Sequence, residues 1–204
     1  ILQYVFINRA QPLYDTLDNH AAFNCKTGCG LNASDKRLSV RHHVKSLFYD
    51  RRDIHYVALA DQRKCYEHIR TRVFSKALKA MGIRGWLLDY ACHVTMVDGH
   101  LPIGTPVSPS AHHIIMLGFD KAMAESYPFY LRYADNIMIG TNTKQESQAA
   151  LWRAKQWWWY VMGVRANRWD SRVTPIDGVA VDFCGTVYHR NPLLWSKNNL
   201  PGLR

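Results

Sequence analysis

The segment "FYLRYADNIMIG", Phe129 to Gly140, constrains the fold of this chain more than any other stretch. Two apolar runs with the length and composition of short strands flank Tyr133-Ala134-Asp135-Asn136, which predicts a hairpin with Asp135 at its turn. A carboxylate at the tip of an apolar hairpin asks for a partner, because charge beside water-excluding surface is costly when unpaired. A divalent cation is one such partner, and Asn136 beside the acid then stands out. A second carboxylate there would make a stronger cation site.

"IHYVALAD", Ile54 to Asp61, is a second short, β-rich apolar run that ends in an acid and reads as a buried strand. Around these two features the spacing is helical. "ASDKRLSVRHHVKSLFYD" puts Leu38, Val44, Leu47 and Phe48 on one face, with Ser34 as the predicted N-cap. "RKCYEHIRTRVFSKALKAMG" predicts one helix stopped by Gly82, and a further helix follows over about Arg84 to Met96. "VDGHLPIGTPVSPS" is a Pro- and Gly-rich loop leading into the helix "AHHIIMLGFDKAMAE". A long helix over Lys144 to Met162 carries "WWWY", and strands and turns close the chain. This alternation, with an antiparallel hairpin late in the order, predicts an α+β fold: an antiparallel sheet backed by helices on one face.

Lys and Arg number 26 against 16 Asp and Glu, a formal charge of +10, which points to a polyanionic partner and first of all to nucleic acid. A basic surface kept for solubility is the bland alternative. Five scattered cysteines, with Cys25 and Cys29 lacking a second pair at zinc-finger spacing, argue against zinc and against a disulfide framework. A reduced, intracellular and cytoplasmic protein is expected. No apolar run reaches the roughly 18 residues of a membrane span, so no membrane partner is expected. The chain starts at Ile1 rather than Met, as a fragment would.

Asp61 and Asp135 both end strands in this reading. If those strands are neighbours, the two carboxylates share one edge and suit Mg²⁺, which takes the rest of its shell from water and substrate phosphates. A pair of such ions serves phosphoryl transfer by activating one oxygen and stabilising the other. The alternative is that Asp61 caps the following helix and Asp135 is an ordinary turn residue. Adjacent histidines, His42–His43 and His112–His113, diverge by about 100° on a helix and do not suit one metal. Of Trp157-Trp158-Trp159, part is expected to pack the long helix on the sheet, and stacking on bases is the rival use. The basic residues from Lys36 to Lys45, with Arg51-Arg52, either track a template backbone or form a solvated face.

Several ordered motifs from about Cys25 to Tyr188 resemble the palm and partial fingers of reverse transcriptases. "YVALADQRKCYEHI" is similar to the family's first catalytic strand and helix, "LPIGTPVSP" to its template- and nucleotide-contacting loop, and "RYADN" to its Tyr-x-Asp-Asp turn. "MGVRANRW" and "GVAVDFCGTVY" are similar to the next palm element and the primer-grip hairpin. The resemblance implies RNA-templated DNA synthesis with two Mg²⁺ ions, Mn²⁺ being a substitute. RNA template, a DNA or RNA primer and deoxynucleoside triphosphates are the implied partners. Asp61 and Asp135 are the implied metal ligands, with Asn136 in the catalytic turn and the Gln62 carbonyl as an extra ligand. Tyr66 falls where the family carries an aromatic gate against ribose. Pro102, Ile103, Gly104 and Tyr133 fall at nucleotide- and template-contacting positions.

The chain departs from that pattern at three places. Asn136 stands where the second aspartate belongs, which implies weaker metal binding. Ile103 replaces a common Gln, as in diversity-generating retroelement enzymes, whereas "PVSP" and "RYAD" are similar to retron and group II intron enzymes. Arg168 lies near a Lys position that can protonate the leaving group, and Arg165 is an equal candidate; arginine holds its proton but can pair with phosphate. The implied division is partial fingers over 1–53, palm over 54–190, and the start of a connection to a missing thumb over 191–204. An accessory protein or further polypeptide supplying that thumb is a further implied partner. The rival function is a catalytically silent palm-like module that binds nucleic acid or scaffolds a ribonucleoprotein. An RNA-dependent RNA polymerase is disfavoured by Tyr66.

Overall fold

The computed structural model describes residues 31–35, 39–191 and 196–197. Helix α1 (Val40–Tyr49) leads to strand β1 (Tyr56–Asp61). Four helices follow: α2 (Cys65–His68), α3 (Thr71–Ala80), α4 (Gly85–Thr95) and α5 (Val107–Ser126). The hairpin β2 (Phe129–Tyr133) and β3 (Asn136–Thr141) precedes α6 (Lys144–Trp157), which continues as a π-helical turn, Trp158–Met162. Strands β4 (Arg172–Pro175), β5 (Val181–Phe183), β6 (Thr186–Tyr188) and β7 (Ser196–Lys197) complete the order. The main sheet runs β2-β3-β1-β4 with antiparallel pairings, and β5-β6-β7 form a smaller sheet. The α+β class and the antiparallel sheet backed by helices are as expected.

The sheet is covered on both faces rather than one. On one face Ala58, Ala60, Ile137 and Ile139 pack with α3, α4, α5 and α6. On the other, Val57, Leu59, Leu131 and Met138 pack with Val44, Leu47 and Phe48 of α1 and with Val181, Phe183 and Tyr188 of the small sheet. Burial of both faces explains why "YVALA" is continuously apolar instead of alternating. Its alanines fall on the helical side, where short side chains let α6 approach. Gly140 faces the other way, toward the α1 side, where a Cβ would lie 3.0 Å from Ile54 and 3.1 Å from Phe129.

Several sequence expectations shift in register. Ser39, not Ser34, caps α1, its hydroxyl accepting from the His42 N–H. Leu38, Lys36, Cys25 and Cys29 lie outside the described residues. The helix expected from Arg63 to Gly82 is two helices, broken where Ile69 and Arg70 turn extended. Arg70 bridges His100 and the Thr71 N–H donates to the Gly99 carbonyl, so the "VDGH" turn takes backbone bonds that a continuous helix would have kept. Pro109, expected in the loop, sits in the first turn of α5, where its missing N–H would have had no helical acceptor. The start of α6 has a capping box: Thr143 accepts from the Glu146 N–H while Glu146 accepts from the Thr143 N–H.

Trp158 is fully buried, Trp157 half-buried and Trp159 exposed, so the tryptophan run divides between packing and surface. Arg51 is bound to Asp53 and to the Pro128 carbonyl, and Arg41 to Thr186 and Asn32, so part of the basic face is occupied internally.

Candidate active site

Antiparallel pairing of β1 with β3 sets Asp61 opposite Asn136, and pairing of β2 with β3 sets Tyr133 opposite Asn136. Ala134 and Asp135 form the two-residue loop between them. The two acids are thus at one end of adjacent strands, as the capping-and-turn alternative does not require. Ala134 takes a left-handed backbone, φ +54°, at a cost that a residue with a Cβ bears only when the surroundings hold it there.

A cavity of about 270 Å³ opens beside Asp61 and Asn136, lined also by Asp170, Arg172, Asp182 and Cys184 among others, while Asp135 lies outside its lining. The β5–β6 hairpin forms its far wall. Its loop residues Cys184 and Gly185 both have positive φ, +51° and +71°, as a tight two-residue turn requires.

The site is strongly negative although the chain is basic. Burial, then the neighbouring Asp135 charge, push the Asp61 carboxyl up to about 6; Asp170 adds to this and an Asn167 hydrogen bond opposes it. Asp135 is also raised by burial, against its own backbone N–H, the Asn136 amide and Arg132. The Cys65 and Cys184 thiols are pushed up to about 12 by burial and then by Asp135. Two partly desolvated carboxylates that repel each other are a donor set that a divalent cation would relieve. Among the described residues no cluster of three or more acidic, His or Cys side chains could hold a metal by itself. An ion held by this pair would complete its shell from water and phosphate oxygens.

The other expected residues divide into those near this centre and those away from it. Asn136 donates its amide to Asp135 Oδ1 at 3.1 Å. Gln62 is buried, its side-chain oxygen 2.9 Å from His112 Nε2 and its amide on Met116. It bridges Ala166, with the ladder bonds made by the Asp61 carbonyl and the Arg63 N–H rather than by the Gln62 carbonyl. Tyr66 is half-buried on α2, edge-on to His112 at 5.8 Å between ring centres. Tyr133 is half-buried and packs on the α1 side of the sheet.

The loop residues Ile103 and Gly104 are exposed, and Pro102 is half-buried. Gly104 has φ +81° and open space where a Cβ would point, so the chain itself demands glycine for the turn and not for a close contact. Ser108 ties the loop down, donating to the Pro102 carbonyl and meeting Thr105 Oγ1 at 2.8 Å. Arg168 is exposed over the Trp169 ring and does not line the cavity, and Arg165 lies over Trp159.

Two residues that the sequence reading did not single out belong here. The Asn167 N–H donates to the Asp61 carbonyl at 2.7 Å, and its amide reaches both Asp61 Oδ2 and Asp170. Asp170 lines the cavity two residues after Arg168. Nothing local in "NRWD" marks them, because what each does depends on which residues it meets after folding.

The family described as reverse transcriptase (RNA-dependent DNA polymerase) matches residues 1–167. No curated protein sequence matches the chain. Among solved structures, apo telomerase from Candida tropicalis is similar with a TM-score of 0.65 at 10% identity, over 96% of this chain and 39% of that one. Telomerase from Candida albicans in complex with a fragment of telomeric RNA gives 0.63 at 11% identity, over 96% and 38%. The chain thus spans about two fifths of those proteins, and at such identities the likeness is one of fold. These neighbours are telomerases, and they do not bear out the retron, group II intron or diversity-generating subclass expected from the loop and turn motifs. No helix among the described residues is long and apolar enough to cross a membrane. With the family match covering most of the sequence, this chain belongs to the reverse transcriptase family.

Proposed function

We propose that this chain is the palm and partial fingers of an enzyme that synthesises DNA on an RNA template. The observation that carries the reading is the β1–β3 register, which sets Asp61 beside the Asp135 turn over a polar cavity. In this reading residues 1–53 contribute to fingers, 54–190 are palm, and 191–204 begin a connection toward a thumb supplied by further polypeptide or an accessory protein.

Reverse transcriptases use divalent ions, and here Asp61 and Asp135 would hold two Mg²⁺, with Mn²⁺ as a substitute. When bound, these ions neutralise triphosphate charge and favour the deprotonated primer 3′-hydroxyl. The chain's own part is placement. Asp61 and Asp135 fix the position of the reacting phosphate, the Ile103–Gly104 loop and Tyr133 receive template and nucleotide, and Tyr66 excludes a ribose 2′-hydroxyl. The 3′-oxygen then bonds the α-phosphorus as the bond to pyrophosphate breaks, with positioning and charge supplying the rate. Arg168 contacts phosphate only if the loop after α6 turns inward on binding, since it faces outward here.

Primer extension on RNA by the full-length protein tests the reading. Asp61→Ala and Asp135→Ala are each expected to cost at least about a hundredfold in rate, as loss of a main electrostatic group does. Tight RNA binding without extension in any variant or in the unmodified protein would leave the silent, binding-only module instead.

A further inference from the structure

A buried ion pair lies directly behind the catalytic turn. Arg132 is 0% exposed and Asp120, on α5, is 1% exposed. Arg132 Nε donates to Asp120 Oδ1 at 2.8 Å and Nη2 to Asp120 Oδ2 at 2.6 Å, a two-pronged pairing. Tyr130 donates its hydroxyl to the same Oδ1 at 2.6 Å, and His113 Nδ1 lies 2.8 Å from Nη2. The remaining prong, Nη1, donates to the Ala134 carbonyl at 2.8 Å, inside the two-residue loop that carries Asp135.

Stability is a poor account of this arrangement. A buried ion pair gives up so much hydration that well-packed apolar residues of similar volume are often as stable or more so. What the guanidinium does that an apolar residue cannot is span two elements with a rigid fork. It fastens the tip of β2–β3 to α5 and grips the one residue of that tip held in a left-handed conformation. We propose that Arg132, anchored by Asp120, is a positioning residue that holds the Ala134–Asp135 loop in the geometry its carboxylate needs to bind a divalent cation. The cation part rests on the proposed function; the loop-holding part does not.

Arg132→Lys keeps the charge and loses the fork, so one lysine cannot serve Asp120 and Ala134 together. Two readouts on the full-length protein apply, amide hydrogen exchange and the affinity for Mn²⁺ alone, read by its paramagnetic resonance. Exchange at Ala134, Asp135 and Asn136 should quicken about tenfold, the equivalent of one hydrogen bond to a charged group, while amides of β4 stay unchanged. Mn²⁺ affinity should weaken by a similar factor, and adding Ala134→Gly should recover part of it by removing the left-handed penalty.

The triple variant Asp120→Leu, Tyr130→Phe, Arg132→Met removes the ion pair and its tyrosine partner and leaves His113 in place. It should fold with little change in Tm and still show the fast-exchanging loop and weak Mn²⁺ binding. A triple variant that fails to fold would make the pair a stability element and overturn the proposal. So would one that keeps slow loop exchange, or an Arg132→Lys effect spread evenly over the sheet. If the unmodified protein binds no Mn²⁺, the metal reading falls, and loop exchange alone decides the role of Arg132.

Discussion

Asn136 is the residue at which this site differs most from the motif it resembles, and its geometry says how. The amide points its donor at Asp135 and spends one of that carboxylate's acceptor positions. An aspartate there would accept instead, adding charge beside two acids already raised by burial, Asp61 also by the Asp135 charge. Without a cation that is unfavourable; with one it adds attraction. Asn136→Asp is therefore expected to lower the Mg²⁺ concentration for half-maximal extension by roughly tenfold, since ligand charge count tunes such sites. It should also lower the Tm of the protein in EDTA. A Mg²⁺ titration of extension beside a melting curve reads both. An unchanged titration would mean that position 136 does not face the ion.

At the scale of elements, the approach of strands and helices behind the site depends on small contacts. Gly140→Ala would place a methyl 3.0–3.1 Å from Ile54 and Phe129 on the strand between the two acids' supports. A loss of about 1–3 kcal/mol is expected for such overpacking, measurable by denaturant melts at unchanged slope. Thr143→Ala removes the α6 cap and should cost ~1 kcal/mol. Both effects reach the site only through the sheet. The elements were mostly legible in sequence because their periods are clear, "YVALAD" and "FYLRY" as strands and "AHHIIMLGFDKAMAE" as a helix. What was illegible came from long-range bonds. The break at Ile69–Arg70 needs His100 and Gly99, thirty residues on, and nothing local forecasts it. The acids were legible from strand ends and motif order. Asn167, Asp170 and the Arg132–Asp120 pair were not, because their role lies in who meets whom after folding.

Over the whole molecule, two buried histidines and two half-buried acids pull stability in opposite directions as pH falls. His112 is held neutral, lowered to about 3, by burial and then by Arg132; His113 is lowered well below its usual value by burial, Arg132 and His112. Unfolded, both titrate near 6.5. Their contribution is complete above that value and is lost as pH falls below about 6.5, for His112 down to about 3, by up to about 1.4 kcal/mol per unit for each group. Asp61 works the other way. Its carboxyl sits at about 6 when folded and near 3.9 when unfolded, so protonating it between those values favours the fold. Asp135 is shifted in the same direction. In EDTA, the Tm of the unmodified protein should therefore fall only gently from pH 6.5 to 5. In the Asp61→Asn, Asp135→Asn variant the compensating acids are gone, and the histidine loss should appear in full as a steeper decline. Parallel curves would mean that the two carboxyls are not raised in the folded chain, and with that the case for a cation that relieves them would fail.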